Sequence, residues 1–478
     1  MTLLFGAIDV GASSGRVIAG MFPEGKLQMF EVHRFGNQPV EKNGRLFWDF
    51  ETLHREIQKG LRELGSFAEE LGLDVTSVGI DTWAVDYGIV RDGELLASPG
   101  CYRDPLNRIG TERVHGLESF DRLYEVTGIQ YLQINTIYQI SKNLLLDYDL
   151  LMEATDILMI PDLIGYFLTG EKRTEITNAS TTGLLDARSR TWSGELAQKL
   201  GLESVMNKFG TLAQPGTIVG TVLPGYGPRL SLTDLVLVAS HDTASAVVGV
   251  PAAEEDFVFI SSGTWSLLGT ELKSPILSSD ANRANFTNEL GADGRVRFLK
   301  NLGGLWLLNE SLRHFEATGQ NSNLQNLLEE AAHIQPGALF NVEDEAFLEP
   351  GDMPSRISRQ LRNAGKVVPD SPAGFVAVIL HSLAKSYAEN LTLLESVTGK
   401  SFTKLHVIGG GSQNELLNQL TADSTGLTVI AGPVEATAMG NLLIQYRAAE
   451  NPDLALEDLR QIIINSDVGL KTYSPKER

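Results

Sequence analysis

Residues 5–20 read as an apolar strand, a tight polar turn and a second apolar strand: Phe5-Gly-Ala-Ile-Asp-Val-Gly-Ala-Ser-Ser-Gly-Arg-Val-Ile-Ala-Gly20. Asp9 falls where the first strand ends, and Gly11 and Gly15 bracket the hydroxyls of Ser13 and Ser14. Small residues let backbone N–H groups and hydroxyls close around an anion, because no bulky side chain blocks the approach. Far down the chain the pattern returns as Phe257-Val-Phe-Ile-Ser-Ser-Gly-Thr-Trp-Ser-Leu-Leu-Gly269. One phosphate-sized turn in each half predicts a duplicated fold that grips one nucleotide.

A chain of 478 residues exceeds one ordinary core and predicts two domains. The net charge of −21 argues against nucleic acid or an anionic membrane as partner. An anionic ligand must then be held by local devices such as backbone amides, a metal ion or Arg16. The single cysteine, Cys101, cannot form an internal disulfide and fits a reducing cytosol. The first residues carry no basic stretch of the signal-peptide kind, so a cytoplasmic location is expected. No apolar run approaches the roughly 20 residues that span a bilayer.

Secondary-structure signals alternate. An amphipathic helix is predicted over 51–73, with Leu53, Ile57, Leu61 and Leu64 on one face. A strand follows over 78–86, and residues 105–200 read as mainly helical. The Pro- and Gly-rich stretch 214–230 reads as the approach to a domain boundary. A buried strand at 234–239 then runs into Ser240-His-Asp-Thr243 and a helix-like segment. Strands near 257–270 and 296–300, a long helix over 373–397 and a strand at 405–408 repeat the opening order. This alternation is that of an α/β fold, divided into an N-terminal domain 1–240 and a C-terminal domain 241–478.

The phosphate grip is not a Walker loop. Gly20 to Lys26 has the glycine–lysine spacing, but Leu27 replaces the hydroxyl that would touch Mg²⁺, and Pro23 favours a hairpin. Gly399-Lys-Ser401 has the right ending, with Leu394 where the first glycine must stand. No dinucleotide fingerprint follows a strand. Asp9-x-Gly11 with Ser13-Ser14-Gly15-Arg16 resembles instead the first phosphate loop of the sugar kinase, Hsp70 and actin superfamily. Ser262-Gly263-Thr264 resembles the second phosphate loop, and Gly409-Gly-Gly-Ser-Gln-Asn414 the adenosine loop.

Phosphoryl transfer to an alcohol needs a carboxylate in reach of the attacking hydroxyl, Mg²⁺, and charge stabilisation at the phosphates. Asp242, after a buried strand and before a helix, is the candidate base; the alternative is that Asp242 or Ser240 caps that helix. Asp9 is the candidate metal-side carboxylate, acting through water because Mg²⁺ keeps its hydration shell; the alternative is a turn-forming aspartate. Asp81, Trp83 and Asp86 offer acids and a ring to a sugar, or else Trp83 is core and the acids are solvated.

Beyond these turns the chain resembles the FGGY family of carbohydrate kinases over essentially its full length. The resemblance rests on 9–16, Gly79-Ile-Asp-Thr-Trp-Ala-Val-Asp86, Tyr102-Arg-Asp104, Asn135-Thr-Ile-Tyr-Gln139 and Thr177-Asn-Ala-Ser-Thr-Thr182. It continues in Ser240-His-Asp-Thr-Ala-Ser-Ala246, Ser261-Ser-Gly-Thr-Trp-Ser266, Lys300-Asn301, Gly304-Leu-Trp-Leu-Leu308 and Gly409-Gly-Gly411. It implies two ribonuclease H-like domains with the active site in the cleft between them. It also implies ATP- and Mg²⁺-dependent phosphorylation of a ketose C1 hydroxyl: that of L-rhamnulose, with L-fuculose or L-xylulose as alternatives. A different class remains open, an ATPase of the Hsp70/actin type or a sugar-sensing regulator. In the family reading Asp242 accepts the proton. The sugar meets Ala84, His241, Asp242, Thr243 and Asn301, and ATP meets Ala12, Ser13, Ser14, Gly15, Arg16, Thr264, Asn309 and Gly410. Ala84 stands where the family pattern has Gly, and Asn309 where it has Gln.

Overall fold

The structure, a computed structural model, describes residues 2–254 and 256–476. The chain forms two compact units: residues 1–253, 271–298 and 436–467 make unit 1, and 254–270, 299–435 and 468–478 make unit 2. The units therefore do not follow a single cut in the chain. The Pro- and Gly-rich stretch 214–230 lies within unit 1, as does Asp242.

Unit 1 is built on a six-stranded sheet ordered Ile218–Thr221, Asp234–Val236, Val75–Thr82, Leu4–Val10, Ser14–Met21 and Gln28–Gly36. The first hairpin pairs antiparallel, with Asp9 opposite Arg16 and Val10 opposite Gly15. Leu4–Val10 runs parallel to Val75–Thr82, which sets Asp9 beside Asp81, and Val75–Thr82 runs parallel to Asp234–Val236. Strands buried on both faces read as near-continuous apolar runs, and Leu4–Val10 is buried at every position, with Asp9 its one charged residue.

The predicted amphipathic helix spans Phe50–Leu71 and buries Leu53, Ile57, Leu61 and Leu64. Asp49 caps its start by accepting from Thr52 N (3.1 Å), and Gly72 ends it at φ 66°. Helix Ala436–Glu450 also packs on this sheet: Gln445 Nε2 donates to the Gly6 carbonyl (2.9 Å), and Ser77 Oγ donates to Gln445 Oε1 (2.7 Å). It crosses Asp242–Val248 so closely that a Cβ on Gly440 would stand 1.8 Å from the Ser245 carbonyl oxygen. The helical region after residue 105 forms a further apolar cluster around Val114, Ile137, Ile140, Leu151 and Leu196.

Unit 2 repeats this plan. Its sheet has seven strands in the order Thr287–Leu290, Val296–Gly303, Trp265–Leu272, Val258–Ser262, Lys404–Ile408, Thr428–Ala431 and Lys471–Tyr473, although residues 271–272, 287–290 and 296–298 group with unit 1. Val258–Ser262 and Trp265–Leu272 form an antiparallel hairpin, and Lys404–Ile408 lies parallel to the first of them. Thr428–Ala431 continues in parallel and Lys471–Tyr473 closes antiparallel. Hairpin, parallel partner, second parallel strand and antiparallel edge thus recur in the same spatial order as in unit 1, as the duplicated turns predict. The long helix expected at 373–397 is Pro372–Thr398. Both Walker-like spacings are turns: Pro23–Gly25 links two strands, and Gly399 (φ 69°) ends the long helix. Among the described residues no helix is long and apolar enough to cross a membrane.

Candidate functional site

Parallel strands end together, and in unit 1 their C-terminal ends gather the polar groups, as open α/β sheets do. Asp9 and Asp81 are register partners near the ends of adjacent strands. Past the third strand the Ser240 carbonyl accepts from Thr82 N (2.9 Å), and Thr82 bridges to His241. Asp242 therefore starts its helix at this same edge.

The helix-cap alternative for Asp242 and Ser240 does not hold. His241 occupies the N-cap position and contributes no side-chain cap bond. Ser240 Oγ donates instead to Glu175 Oε2 (2.7 Å), which also accepts from Ser240 N (3.1 Å). Asp242 is the first helical residue, with its side chain 30% exposed, the most open of this group. Its Oδ1 accepts from Thr243 N (2.5 Å) and Thr243 Oγ1 (3.1 Å), which holds the carboxylate in one orientation. His241 and Thr243 are buried around it, and Ala84 is half-buried in the turn after Val75–Thr82.

The first turn has the frame of an anion loop. Gly11 N donates to the Ser14 carbonyl (2.8 Å), while Asn37 donates to the Gly11 carbonyl from Nδ2 (2.9 Å) and to the Ser13 carbonyl from N (3.0 Å). Ser13 is exposed, and Ala12, Ser14 and Arg16 are partly exposed. Arg16 Nη2 lies 2.6 Å from Asp9 Oδ2, a charge-assisted bond across the hairpin.

Within unit 2 the structure brings together the Thr264 turn, the helix that carries Asn309 and the Gly410 turn. The Gly263 carbonyl accepts from Leu305 N (3.0 Å) and the Thr264 carbonyl from Trp306 N (3.1 Å), so the Ser262-Gly263-Thr264 turn abuts the start of helix Trp306–Ala317. Asn309 is exposed on that helix, and Gly410 is exposed in its own turn. A Cβ on Gly411 would fall 2.0 Å from Ser262 Oγ, so the glycine run lies directly against the hairpin. Asn301 is partly exposed on Val296–Gly303, next to Lys300, whose Nζ meets Glu343 Oε2 (2.9 Å) and Asn390 Oδ1 (3.0 Å).

Asp81 and Asp86 do not offer acceptors to a sugar, and Trp83 offers no exposed ring. The strand ends at Thr82, and Val85 turns the chain at φ 68°. Asp86 is buried, its Oδ2 accepting from Trp48 Nε1 (2.6 Å), Trp83 Nε1 (2.9 Å) and Tyr102 N (3.1 Å), and its Oδ1 from Gln139 Nε2 (2.8 Å). Burial still pushes its carboxyl up to about 6. Trp83 is 4% exposed and packs on Trp48. Asp81 is fully buried; Asn441 Nδ2 donates to its Oδ2 (2.6 Å), and its Oδ1 has no partner among the described residues. Burial, reinforced by the nearby Asp9 charge, lifts the Asp81 carboxyl well above the usual range.

Sequence reasoning passed over Glu175, Glu289 and Arg297. Each is a buried charge beside His241 or Ser240. The available signal was a charge inside an apolar run, as in Val296-Arg-Phe-Leu299.

A duplicated α/β sheet with a Ser/Gly hairpin turn in each copy and a carboxylate at a strand end is the two-domain architecture of the sugar kinase, Hsp70 and actin class. Residues 4–249 match the model of the N-terminal domain of the FGGY family of carbohydrate kinases, and residues 258–449 that of its C-terminal domain. The chain is 41% identical over 470 residues to a rhamnulokinase of Oceanobacillus iheyensis, covering 98% of this chain and 97% of that protein. It is 39% identical over 479 residues to a rhamnulokinase of Bacillus subtilis, covering 99% and 96%. In fold it is similar to a gluconate kinase from Lactobacillus acidophilus, with a TM-score of 0.79 at 16% identity over 100% of this chain and 94% of that one. The chain belongs to the FGGY family of carbohydrate kinases, and it is an ATP-dependent sugar kinase.

Proposed function

We propose that this kinase transfers the γ-phosphoryl group of ATP to the C1 hydroxyl of L-rhamnulose, giving L-rhamnulose 1-phosphate and ADP. The observation that carries the reading is the likeness, near 40% over almost the whole chain, to several rhamnulokinases. Residues 1–240 would supply the first phosphate loop and most of the sugar contacts. Residues 241–478 would supply the base, the second phosphate loop and the adenosine loop.

Asp242 takes the C1 hydroxyl proton as the oxygen attacks phosphorus; its partial exposure and its fixed orientation on Thr243 suit that role. Ala84, His241, Thr243 and Asn301 orient the ketose. Ala12 to Arg16 and Thr264 hold the phosphates, while Asn309 and Gly410 flank the nucleoside. Mg²⁺ would bind through water at Asp9, sharing the nucleotide phosphates and drawing off their charge. Contact through water suits Asp9, whose Oδ2 is held by Arg16 (2.6 Å) at the base of the first hairpin turn, and Mg²⁺ is commonly held by one or two carboxylates plus phosphates.

ADP release measured with L-rhamnulose, L-fuculose and L-xylulose tests the reading. The highest kcat/KM is expected for L-rhamnulose. A clear preference for either other ketose would reassign the substrate, and hydrolysis indifferent to sugar would favour an ATPase of the Hsp70/actin type.

A further inference from the structure

Arg297 is an unusual residue to find at 0% exposure near the start of a strand. A buried charge persists only when paired and hydrogen-bonded. Its Nη2 lies 3.1 Å from Glu289 Oε2 and 3.0 Å from His241 Nδ1, and its Nε donates to the Leu290 carbonyl (3.1 Å). On its other side His241 presents Nε2 to Asp242 Oδ1 at 3.4 Å. The chain of contacts Glu289–Arg297–His241–Asp242 thus ends on the proposed base, and all four residues belong to unit 1.

Hydrogen-bond chemistry fixes the direction of this chain. A guanidinium has only donors and stays charged in proteins. The imidazole nitrogen facing it must therefore be an unprotonated acceptor. Glu289 Oε2, also 3.3 Å from Nδ1, would ask for a proton there. Arg297 stands closer to Nδ1 and is itself paired with that carboxylate, so the arginine prevails. The ring proton is left on Nε2, toward Asp242. The His241 backbone is held from behind, its N donating to Thr177 Oγ1 (3.3 Å).

We propose that Arg297, countered by Glu289, is a positioning residue for phosphoryl transfer: it holds His241 neutral in the Nε2–H tautomer, with that N–H turned to the Asp242 carboxylate. The inference rests on Asp242 being the base. In the step itself the C1 oxygen–phosphorus bond forms and the bond from phosphorus to the ADP oxygen breaks. The proton of the C1 hydroxyl passes to Asp242, and His241 keeps its single ring proton throughout. The 3.4 Å separation is compatible with this role, since catalytic hydrogen bonds are often long before substrate binds. The charged groups around the ring are Arg297, Glu289 and Asp242, with Glu175 and Glu271 adding to the field at Arg297.

Three full-length variants and one spectrum test it. In Arg297→Met, Glu289 is left facing Nδ1 and draws a proton onto it. His241 then becomes an imidazolium that pairs with the base. We expect kcat to fall on the order of 100-fold, KM for ATP to hold, and the acid limb of the kcat–pH profile to move to higher pH. In Arg297→Met/Glu289→Gln no buried charge is left unpaired, so the limb should return to its wild-type position while kcat stays low. This double variant serves if the single one fails to fold. Nitrogen-15 spectra of histidine-labelled protein, with His241 assigned by its loss in His241→Gln, should show the Nε2–H form in the wild type. A wild-type kcat and profile in Arg297→Met, an unmoved limb in the double variant after a shift in the single, or an Nδ1–H ring overturns the proposal. Asp242→Asn separates the two readings: near-normal turnover there removes the base assignment, whereas its collapse beside an unaffected Arg297→Met removes only the relay.

Discussion

Replacing Asp86 by asparagine changes one atom in a buried cluster and gives a stability effect whose size depends on pH. The carboxylate accepts four hydrogen bonds, three of them at Oδ2 from Trp48, Trp83 and Tyr102. An asparagine oxygen can take the Oδ2 position and keep those three. Its NH₂ then opposes Gln139 Nε2, leaving one buried pair of donors face to face, a penalty of about 1–3 kcal/mol. Against this, the wild-type carboxyl rises from its ordinary 3.8 to about 6 on folding. A raised acid binds its proton more tightly in the folded state. The folded state is thus favoured at low pH, and that advantage is lost as pH climbs from about 4 to about 6. At 1.36 kcal/mol per pH unit the loss is about 3 kcal/mol. Asparagine cannot ionise, so its deficit relative to wild type should shrink by about that amount between pH 4 and pH 7.5. Urea unfolding followed by tryptophan fluorescence reads the site directly, because Trp48 and Trp83 are two of the donors. An equal deficit at both pH values would refute the reasoning.

Asp242→Asn should fold and bind ATP with near wild-type affinity while turnover falls by about 10²- to 10⁴-fold, the range for losing a general base; single-turnover kinetics and nucleotide titration check both halves. Gly411→Ala places a methyl 2.0 Å from Ser262 Oγ and 3.0 Å from the Ser262 carbonyl oxygen. The loop must lift from the hairpin, with a stability loss of about 1–3 kcal/mol and a raised KM for ATP at unchanged sugar specificity; thermal melts with steady-state kinetics measure this.

Much of the fold was legible because its signals are periodic. Leu53, Ile57, Leu61 and Leu64 declare the helix Phe50–Leu71 by spacing alone. The two Ser-Gly turns announce the hairpins from which both units are built. The division into compact units was less legible, because residues 271–298 and 436–467 return to unit 1 from far along the chain. Sequence spacing has no access to such returns. At the site, turns that bring their own glycines and hydroxyls were visible, as was Asp242 at a strand end. Asp86 and Trp83 misled because the chain turns at Val85, which breaks the strand alternation assumed for them. Glu175, Glu289 and Arg297 lie 67 or fewer positions from Asp242 but meet its neighbours only through tertiary packing.

The position of the new phosphate ester is the most direct test of the account. Purified protein is incubated with ATP, Mg²⁺ and L-rhamnulose, and the product is examined by proton-coupled phosphorus-31 NMR. Esterification at C1 places phosphorus next to a methylene, so the product signal should split into a triplet, with ADP formed in equal amount. A doublet would locate the phosphate on a secondary carbon, and inorganic phosphate without ester would mean hydrolysis; either contradicts a C1 ketose kinase.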